Sequence, residues 1–368
     1  MTSKDELSPA DLGRACPAPR DAQATAPTVP SPTPRLSRRG LVLAGLGGLG
    51  VTACGGGDGG VPGILTPAPA PTPTPPPPPP PPSSPGPSSI TEINYRSAAL
   101  NDSSWVKIYL PPGYATSGLR YPVVYMLHGR GDTLSSWGRN QAMFDELIAA
   151  GTIPPFIGVM PDAPSSNRGG YYVDSAYTST ALPGAKVETA FMTELLPYVD
   201  ANYRTLPQRE ARALAGYSMG AYGALRYAIA YPEQFSATIV MSPAIYTPLP
   251  PAGSSSREFG AFGSGNTLFV DEIYRSKTYP ALLPVFAAKN LPLRMFISAG
   301  DDEYKEPNPA EAMNDIDMEA HLLFNRVSRV ASVKAELRIL NGEHDWPVWQ
   351  ATLREALPFI FKGMSKPA

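Results

Sequence analysis

A serine between two glycines is the residue best placed to do chemistry in this sequence. It lies in the run Gly216-Tyr217-Ser218-Met219-Gly220, after apolar residues 213–215 and before a stretch of helical periodicity. A G-x-S-x-G pattern at a strand-to-helix turn is typical of a nucleophile elbow. Glycine is required on both sides because the turn is tight and a Cβ would clash with the adjoining backbone. The pattern predicts that Ser218 is a nucleophile.

A serine hydroxyl needs a base to remove its proton, and histidine is the usual base. The sequence has three histidines. His128 ends an apolar run and precedes Gly129, which indicates a role in a turn, and His321 lies inside a predicted helix. His344 lies in a loop between the last predicted strand and the last predicted helix, where the chain order serine, acid, histidine places the base. His344 is therefore the predicted general base.

The histidine should be oriented by an acid that follows a strand between Ser218 and His344. Asp301, Asp302 and Glu303 all follow a predicted strand and Gly300. In hydrolase loops the acid most often stands three residues after the glycine, which favours Glu303 and keeps Asp302 in reserve. A metal site at these acids is not favoured, because no histidine or further carboxylate is poised to complete it.

Acyl transfer also needs hydrogen-bond donors for the negative oxygen that develops. The backbone N–H of Met219, directly after the nucleophile, is one expected donor. The other is expected from the loop His128-Gly129-Arg130-Gly131-Asp132, with the N–H of Arg130 as the candidate. The Arg130 guanidinium is expected either to contact a polar group of the substrate or to lie exposed in solvent.

The elements that would position these residues alternate between short apolar runs and helical periodicity, which predicts an α/β fold with a mostly parallel sheet. Eight strands are predicted, at 91–96, 106–110, 123–127, 157–160, 213–216, 237–241, 293–298 and 335–340. Five helices are predicted, at 141–150, 186–202, 219–231, 310–330 and 348–361. Residues 243–290 lack clear periodicity and are rich in Ser, Gly and Pro, so they are interpreted as an insertion over the site, in the position of a lid.

The N-terminal part has the pattern of an export signal. Arg38 and Arg39 precede the short apolar run 41–53, which resembles a twin-arginine signal, and the run ends at Cys54 in a sequence that resembles a lipoprotein box. A lipid on Cys54 would anchor an exported protein to the membrane of the cell envelope. The alternative is a plain cleaved signal, with a secreted or periplasmic protein.

Composition divides the chain into a signal region at 1–53, a linker at 54–88 rich in glycine and proline, and one folded domain at 89–365. The linker contains the proline run 75–82, which favours an extended polyproline II conformation. Cys16 and Cys54 are the two cysteines, so the folded domain has no disulfide and no thiolate nucleophile. The formal net charge of −2 gives no reason to expect nucleic acid as a partner.

These residues together resemble the bacterial putative-esterase family, which includes esterase D-like enzymes, feruloyl and acetylxylan esterase modules, and mycolyltransferases. The resemblance is carried by Tyr125–Gly129, Val159–Asp162, Glu194–Asp200, Gly216–Gly220 and Gly342–Trp346. It implies an α/β-hydrolase fold, a serine–histidine–acid triad, no cofactor, and an acyl-enzyme that is resolved by water or by an alcohol. Glu343 departs from the glycine usual before the histidine, and its charge is expected to raise the basicity of the imidazole.

The resulting expectation is a serine esterase that acts on a small-molecule or carbohydrate-linked ester. Two alternatives stay open: an acyltransferase that delivers the acyl group to a sugar or glycerol hydroxyl, and a non-catalytic surface-binding module. Tyr171, Tyr172 and Trp346 are candidates to line an aromatic cleft, although such residues are also ordinary packing residues.

Overall fold

The structure is a computed structural model that describes residues 86–163, 169–179 and 184–368. The predicted signal region, Cys54 and all of the linker before residue 86 lie outside the described residues. Among the described residues, none of the helices is both long and apolar enough to cross a membrane.

Within the described part of the chain, ten strands form one sheet of eight strands and one of two. They are β1 (Ser89–Ser97), β2 (Asp102–Leu110), β3 (Val123–Leu127), β4 (Ile157–Pro161), β5 (Ala176–Tyr177), β6 (Arg212–Tyr217), β7 (Ala237–Met241), β8 (Ser264–Gly265), β9 (Leu293–Gly300) and β10 (Val333–Leu340). The order across the large sheet is β1-β2-β4-β3-β6-β7-β9-β10, with β2 antiparallel to both of its neighbours and the other pairs parallel. The mostly parallel sheet confirms the predicted fold class, and each predicted strand lies within one of its strands.

Helices cover both faces of this sheet. They are α1 (Gln141–Ala149), α2 (Val187–Ala190), α3 (Leu196–Asn202), α4 (Met219–Ala230), α5 (Asp271–Lys277), α6 (Tyr279–Lys289), α7 (Ile316–Val327) and α8 (Trp346–Phe361). Helices α1 and α8 contribute to one hydrophobic cluster, and α2, α3, α4, α6 and α7 contribute to the other. Strands β3, β4, β6 and β7 are buried along their whole length, which explains why they appear in the sequence as continuous apolar runs.

Two predicted helices are less regular than expected. Residues 186–202 form α2 and α3 joined by a π-helical turn, Phe191–Leu195. The predicted helix at 310–330 is divided into a 3₁₀ turn, Pro309–Asn314, and α7, because Asp315 is extended (φ −60°, ψ 140°). The Asp315 carboxylate accepts a hydrogen bond from the Glu306 N–H and so ties this break to the preceding loop.

The insertion at 243–290 contains two helices that were not predicted from the sequence. It contains α5 and α6 after a first part that has little regular structure. Helix α6 has apolar residues on several sides and prolines at positions 280 and 284, so it lacks the alternation of polar and apolar residues that sequence analysis detects. The first part of the insertion does reach the site: Ala244, Tyr246 and Ser255 line the cleft that contains Ser218.

Candidate active site

Ser218 occupies a strained turn between β6 and α4. Its backbone lies at φ 56° and ψ −124°, a region that residues with a Cβ rarely adopt. The turn is anchored to β7, because the Ser218 N–H donates to the carbonyl of Met241, 2.9 Å away. Met219 begins α4, so its N–H belongs to the first turn of the helix and has no carbonyl partner within the helix. The hydroxyl therefore stands at the positive end of a helix.

The glycines of this turn are required by close backbone contacts. A Cβ on Gly220 would lie 2.1 Å from the carbonyl oxygen of Leu127, and a Cβ on Gly216 would lie 2.1 Å from that of Gly220. Both contacts are with backbone atoms, which cannot turn away as a side chain can. The turn between β6 and α4 can therefore pack against β3 only with glycine at positions 216 and 220.

Gly220→Ala should consequently lower the free energy of unfolding by about 1–3 kcal/mol, the usual cost of overpacking a core. Urea unfolding followed by circular dichroism measures this change. Gly118→Ala is the matched control, because a Cβ at Gly118 has no atom within 4 Å. Equal stability of the two variants would contradict the packing argument.

His344 and Glu303 lie together at the carboxyl ends of β10 and β9. The His344 Nδ1 donates to Glu303 Oε2 at 2.7 Å, with the Glu303 side chain buried and the His344 side chain about one-third exposed. Glu303 also accepts the N–H of Gly300 at 2.7 Å through Oε1. This geometry keeps Nδ1 protonated and leaves Nε2 as the ring nitrogen that can accept a proton.

The three acids after β9 have different surroundings. The Asp301 carboxylate accepts the N–H of Gly342, and the Asp302 N–H donates to the Gly342 carbonyl, each at 3.0 Å. These two bonds join the acid loop to the loop that carries His344. The Asp302 residue is exposed, whereas Glu303 is buried against the imidazole. The structure therefore brings Glu303, and not Asp302, to the histidine.

Two further residues of this site were missed in the sequence. Ser242, directly after β7, has a buried hydroxyl that contacts Glu303 Oε1, and Trp349 of α8 donates its Nε1–H to Ser242 Oγ at 2.8 Å. The position of Ser242 at the carboxyl end of a parallel strand was the available signal, since functional groups collect at that edge. No local pattern marked Trp349, which lies inside an amphipathic helix.

The loop after β3 packs directly against Ser218. A Cβ on Gly129 would lie 2.7 Å from the Tyr217 ring and 3.3 Å from Ser218 Cβ. His128 is fully buried: its Nδ1 contacts the Gly129 carbonyl at 2.8 Å, and its Nε2 accepts the Ala163 N–H at 2.9 Å. His128 therefore shapes this loop. His321, in contrast, is exposed on α7 and bonds to the Asp317 carbonyl.

Asp132 in the same loop accepts a hydrogen bond from the Tyr217 hydroxyl at 2.6 Å. Burial raises the pKa of Tyr217, and the bond to Asp132 raises it further, so the phenol stays protonated and remains a donor. Because Tyr217 precedes Ser218, this bond links the turn of Ser218 to the loop of Arg130. Arg130 itself is exposed, with its guanidinium 5.9 Å from the centre of the Phe259 ring.

Ser218 and His344 line one cleft of about 210 Å³. Its other lining residues are Arg130, Tyr171, Ala244, Tyr246, Ser255, Tyr304 and Ile316. Four of these, Arg130, Tyr246, Ser255 and Tyr304, also line a second cavity of about 240 Å³ that extends to Glu258, Glu306 and Asn314. The cleft thus combines aromatic and apolar walls with a polar extension.

Of the three aromatic residues predicted to line a cleft, Tyr171 is a lining residue of this cleft, whereas Tyr172 and Trp346 are not. Tyr171 lines the cleft, and its hydroxyl lies 3.3 Å from Ser255 Oγ. Tyr172 is buried behind it and donates to the His128 carbonyl at 3.0 Å. Trp346 packs against Trp137, Tyr217 and Trp349, so its contacts are those of a packing residue. Glu343 is exposed, where solvent screens its charge.

A buried acid supports the wall of the cleft that carries Tyr246. Glu319 of α7 accepts the Thr247 N–H at 2.6 Å and the Thr247 hydroxyl at 3.2 Å. Burial raises the pKa of Glu319 to about 7, although both bonds from Thr247 act in the opposite direction. Thr247, the residue next to Tyr246, is therefore fixed to α7.

Comparison with known proteins is consistent with this geometry. A sequence model of the putative esterase family matches residues 97–360. An esterase of Mycobacterium tuberculosis is 36% identical over 146 residues, which are 39% of this chain and 29% of the relative. An endo-1,4-beta-xylanase/feruloyl esterase of Xylanibacter ruminicola is 31% identical over 167 residues, 44% of this chain and 22% of the relative. The aligned parts thus span less than a third of either relative.

Solved structures have the same architecture. A ferulic acid esterase superposes with a TM-score of 0.59 at 26% identity, over 75% of this chain and 99% of the other. An S-formylglutathione hydrolase of Agrobacterium tumefaciens superposes with a TM-score of 0.57 at 16% identity, over 76% of this chain and 96% of the other, which bears on the fold alone. The family match covers most of the described chain, including the turn of Ser218 and the loops of Glu303 and His344, and the chain belongs to the putative esterase family.

Proposed function

We propose that the protein is a serine hydrolase of carboxylic esters in which Ser218, His344 and Glu303 form the catalytic triad. One observation carries the proposal: the buried Glu303 carboxylate holds Nδ1 of His344, and His344 lines the same cleft as the strained Ser218. Membership of the esterase family supports ester hydrolysis as the reaction class. Glu303 is the proposed acid because Asp302 is exposed and Asp301 is engaged with Gly342.

In the first half of the reaction, His344 Nε2 removes the hydroxyl proton of Ser218 while Oγ attacks the ester carbonyl carbon. The carbonyl oxygen becomes negative, and the backbone N–H groups of Met219 and Arg130 are the proposed donors that stabilise it. The bond to the alcohol oxygen then breaks, and His344 returns the proton to the leaving alcohol. The product is an acyl-enzyme on Ser218.

In the second half, His344 takes a proton from water, and the water oxygen attacks the acyl-enzyme carbonyl. The bond to Ser218 Oγ breaks, the carboxylic acid leaves, and the serine recovers its proton. Glu303 stabilises the imidazolium that forms in each half, without itself being protonated. Water is the second reactant, and all the other groups in the proposed reaction are these side chains and backbone donors.

Esters of an aromatic acid such as ferulic acid are the proposed substrates. Two relatives support this class, namely the feruloyl esterase of Xylanibacter ruminicola and the ferulic acid esterase of known structure. The cleft fits the proposal because Tyr171, Tyr246 and Tyr304 contribute aromatic walls. The polar extension toward Glu258 and Glu306 would lie next to the alcohol part.

The test is hydrolysis by the full-length protein of p-nitrophenyl esters from acetate to long acyl chains, together with methyl ferulate. We expect turnover of short-chain esters and of methyl ferulate, and inhibition by a fluorophosphonate probe that reacts with the activated serine. Adding an alcohol acceptor and identifying the products separates hydrolysis from acyl transfer. Folded protein that neither hydrolyses any of these esters nor reacts with the probe would overturn the proposal and favour a non-catalytic binding module.

A further inference from the structure

We infer that Ser242 and Trp349 are positioning residues for the triad. They hold Glu303 and His344 in the relative orientation that their hydrogen bond requires. The inference rests on the proposed function, since it assigns a role around the same three side chains. It is carried by a buried chain of contacts from Trp349 through Ser242 to Glu303 and on to His344. Ser242 contacts Glu303, and Trp349 contacts Ser242 and the His344 ring, so both act by holding the acid and the base.

The direction of the hydrogen bonds in this chain is fixed by chemistry. The indole N–H of Trp349 can only donate, so Ser242 Oγ accepts from it at 2.8 Å. Glu303 as a carboxylate can only accept, so the single hydroxyl hydrogen of Ser242 goes to Oε1. A hydroxyl with one donor and one acceptor as its buried partners has one orientation. Ser242 therefore connects α8 to Glu303 by accepting one hydrogen bond and donating another.

Glu303 is consequently surrounded by donors. Its Oε1 accepts from the Ser242 hydroxyl and the Gly300 N–H, and its Oε2 accepts from His344 Nδ1. Two donors on one oxygen orient the carboxylate plane and leave the other oxygen for the imidazole. Without the Ser242 hydroxyl, the Gly300 N–H alone would orient the group, and the carboxylate could rotate away from His344.

Ser242 is held in a strained backbone conformation by its buried surroundings and by a backbone hydrogen bond. It is fully buried, its φ is +46°, and its N–H donates to the Ser298 carbonyl at 2.7 Å. A non-glycine residue in the left-handed region persists only where its surroundings fix it, and such residues are frequent at functional sites. The hydroxyl is therefore pre-positioned toward Glu303 before substrate binds.

Trp349 also contacts the base and the nucleophile turn. Its ring lies edge-to-face against His344, with centroids 5.2 Å apart and an interplanar angle of 87°. It stacks on Tyr217, the residue before Ser218, at 4.2 Å. One side chain of α8 thus restrains the acid through Ser242, the imidazole by direct contact, and the serine turn through Tyr217.

The test compares Ser242→Ala, Trp349→Phe and the double variant of the full-length protein with p-nitrophenyl acetate. Ser242→Ala should lower kcat by about 30-fold, because a hydrogen bond to a charged group is lost, with KM changed less than about twofold. Trp349→Phe keeps an aromatic ring but loses the N–H, and should lower kcat less. The double variant should be no slower than Ser242→Ala, because Trp349 donates to the deleted hydroxyl.

The pH dependence of kcat/KM gives a readout that a loss of stability would not move. The Glu303 carboxylate loses one of its hydrogen-bond donors in Ser242→Ala, so the acidic limb of the profile should move to higher pH. Asp301 and Asp302 precede Glu303 on the acid loop, and Glu343 and Asp345 flank His344 in the chain. Arg130, Tyr171, Tyr246 and Tyr304 line the same cleft as His344. All of these groups are unchanged in the variant.

Thr352→Val is the matched control. Its hydroxyl is buried in the same helix and donates to Ser298 Oγ at 2.9 Å, so the variant loses a comparable hydrogen bond without touching Glu303. It should keep the wild-type kcat and pH profile even if its melting temperature falls as in Ser242→Ala.

Two results would overturn the positioning role while the wild-type protein hydrolyses esters. One is a wild-type kcat and pH profile in Ser242→Ala, and the other is an equal loss of kcat in Thr352→Val. A wild-type protein that hydrolyses no ester would overturn the esterase proposal and this inference with it. Failure of the positioning role can therefore be distinguished from failure of the proposed esterase function.

Discussion

Ser218→Ala should lower kcat/KM for p-nitrophenyl acetate by about 10⁴-fold or more, because it removes the atom that attacks the carbonyl. Any remaining rate would come from the oxyanion donors and the cleft acting on water. The variant should fold as the wild type does, since the contacts that hold the elbow are made by backbone atoms. Initial rates measure the loss of activity, and the mass of the protein after treatment with the fluorophosphonate probe shows whether the variant is still labelled.

Ser276→Ala is the control for this experiment. Ser276 is exposed on α5, and its hydroxyl donates to the Ile273 carbonyl of the same helix. The control should react with the probe and hydrolyse the ester as the wild type does, whereas Ser218→Ala should do neither. Labelling of Ser218→Ala at wild-type stoichiometry would place the nucleophile at another residue.

Glu303→Gln should lower kcat by about 10³- to 10⁴-fold, the range expected when the acid of a triad becomes an amide. An amide presents a donor as well as an acceptor, so the new side chain could donate to an unprotonated Nδ1 and hold the wrong tautomer of His344. The variant would also leave the imidazolium without a buried negative charge to stabilise it. Stopped-flow or steady-state rates near neutral pH measure the loss.

Asp302→Asn provides the comparison that decides between the two candidate acids. Asp302 contributes its backbone N–H to the Gly342 carbonyl, and this bond is unaffected by the change of side chain. The exposed carboxylate should therefore matter little, and kcat should stay within about threefold of wild type. A large loss in Asp302→Asn together with a small loss in Glu303→Gln would reverse the assignment.

The proposed triad residues and the walls of the cleft come only in part from the same segments. The turn of Ser218, the acid loop and the histidine loop all lie at the carboxyl ends of parallel strands, and two hydrogen bonds to Gly342 join the acid loop to the histidine loop. The cleft walls come partly from the acid loop itself, through Tyr304, and partly from the insertion after β7 and the segment of Tyr171. Changes at Tyr171 or in the insertion are therefore expected to alter the cleft without moving Ser218, Glu303 or His344.

Several features follow from the sequence alone because they depend on local patterns. Central strands of a parallel sheet are buried on both faces, so β3, β4, β6 and β7 are continuous apolar runs whose positions could be predicted. The elbow is local as well, since the two glycines, the preceding strand and the following helix are contiguous. His344 could be selected because the chain order of the groups and its place after the last strand leave few candidates.

Other features depend on which side chains meet in space, and only the tertiary structure decides them. The spacing from Gly300 favoured Glu303 but left Asp302 as an alternative, and it is the packing of the loop after β9 that turns Glu303 toward His344. The link from Trp349 to Ser242 joins residues 107 positions apart, which no local pattern records. Helix α6 was missed for the related reason that its burial comes from neighbouring helices, not from its own periodicity. The sequence by itself therefore determined the fold, the elbow and the histidine candidate, whereas three-dimensional packing decided which acid meets the histidine, because contacts between distant residues exist only once the sheet is assembled.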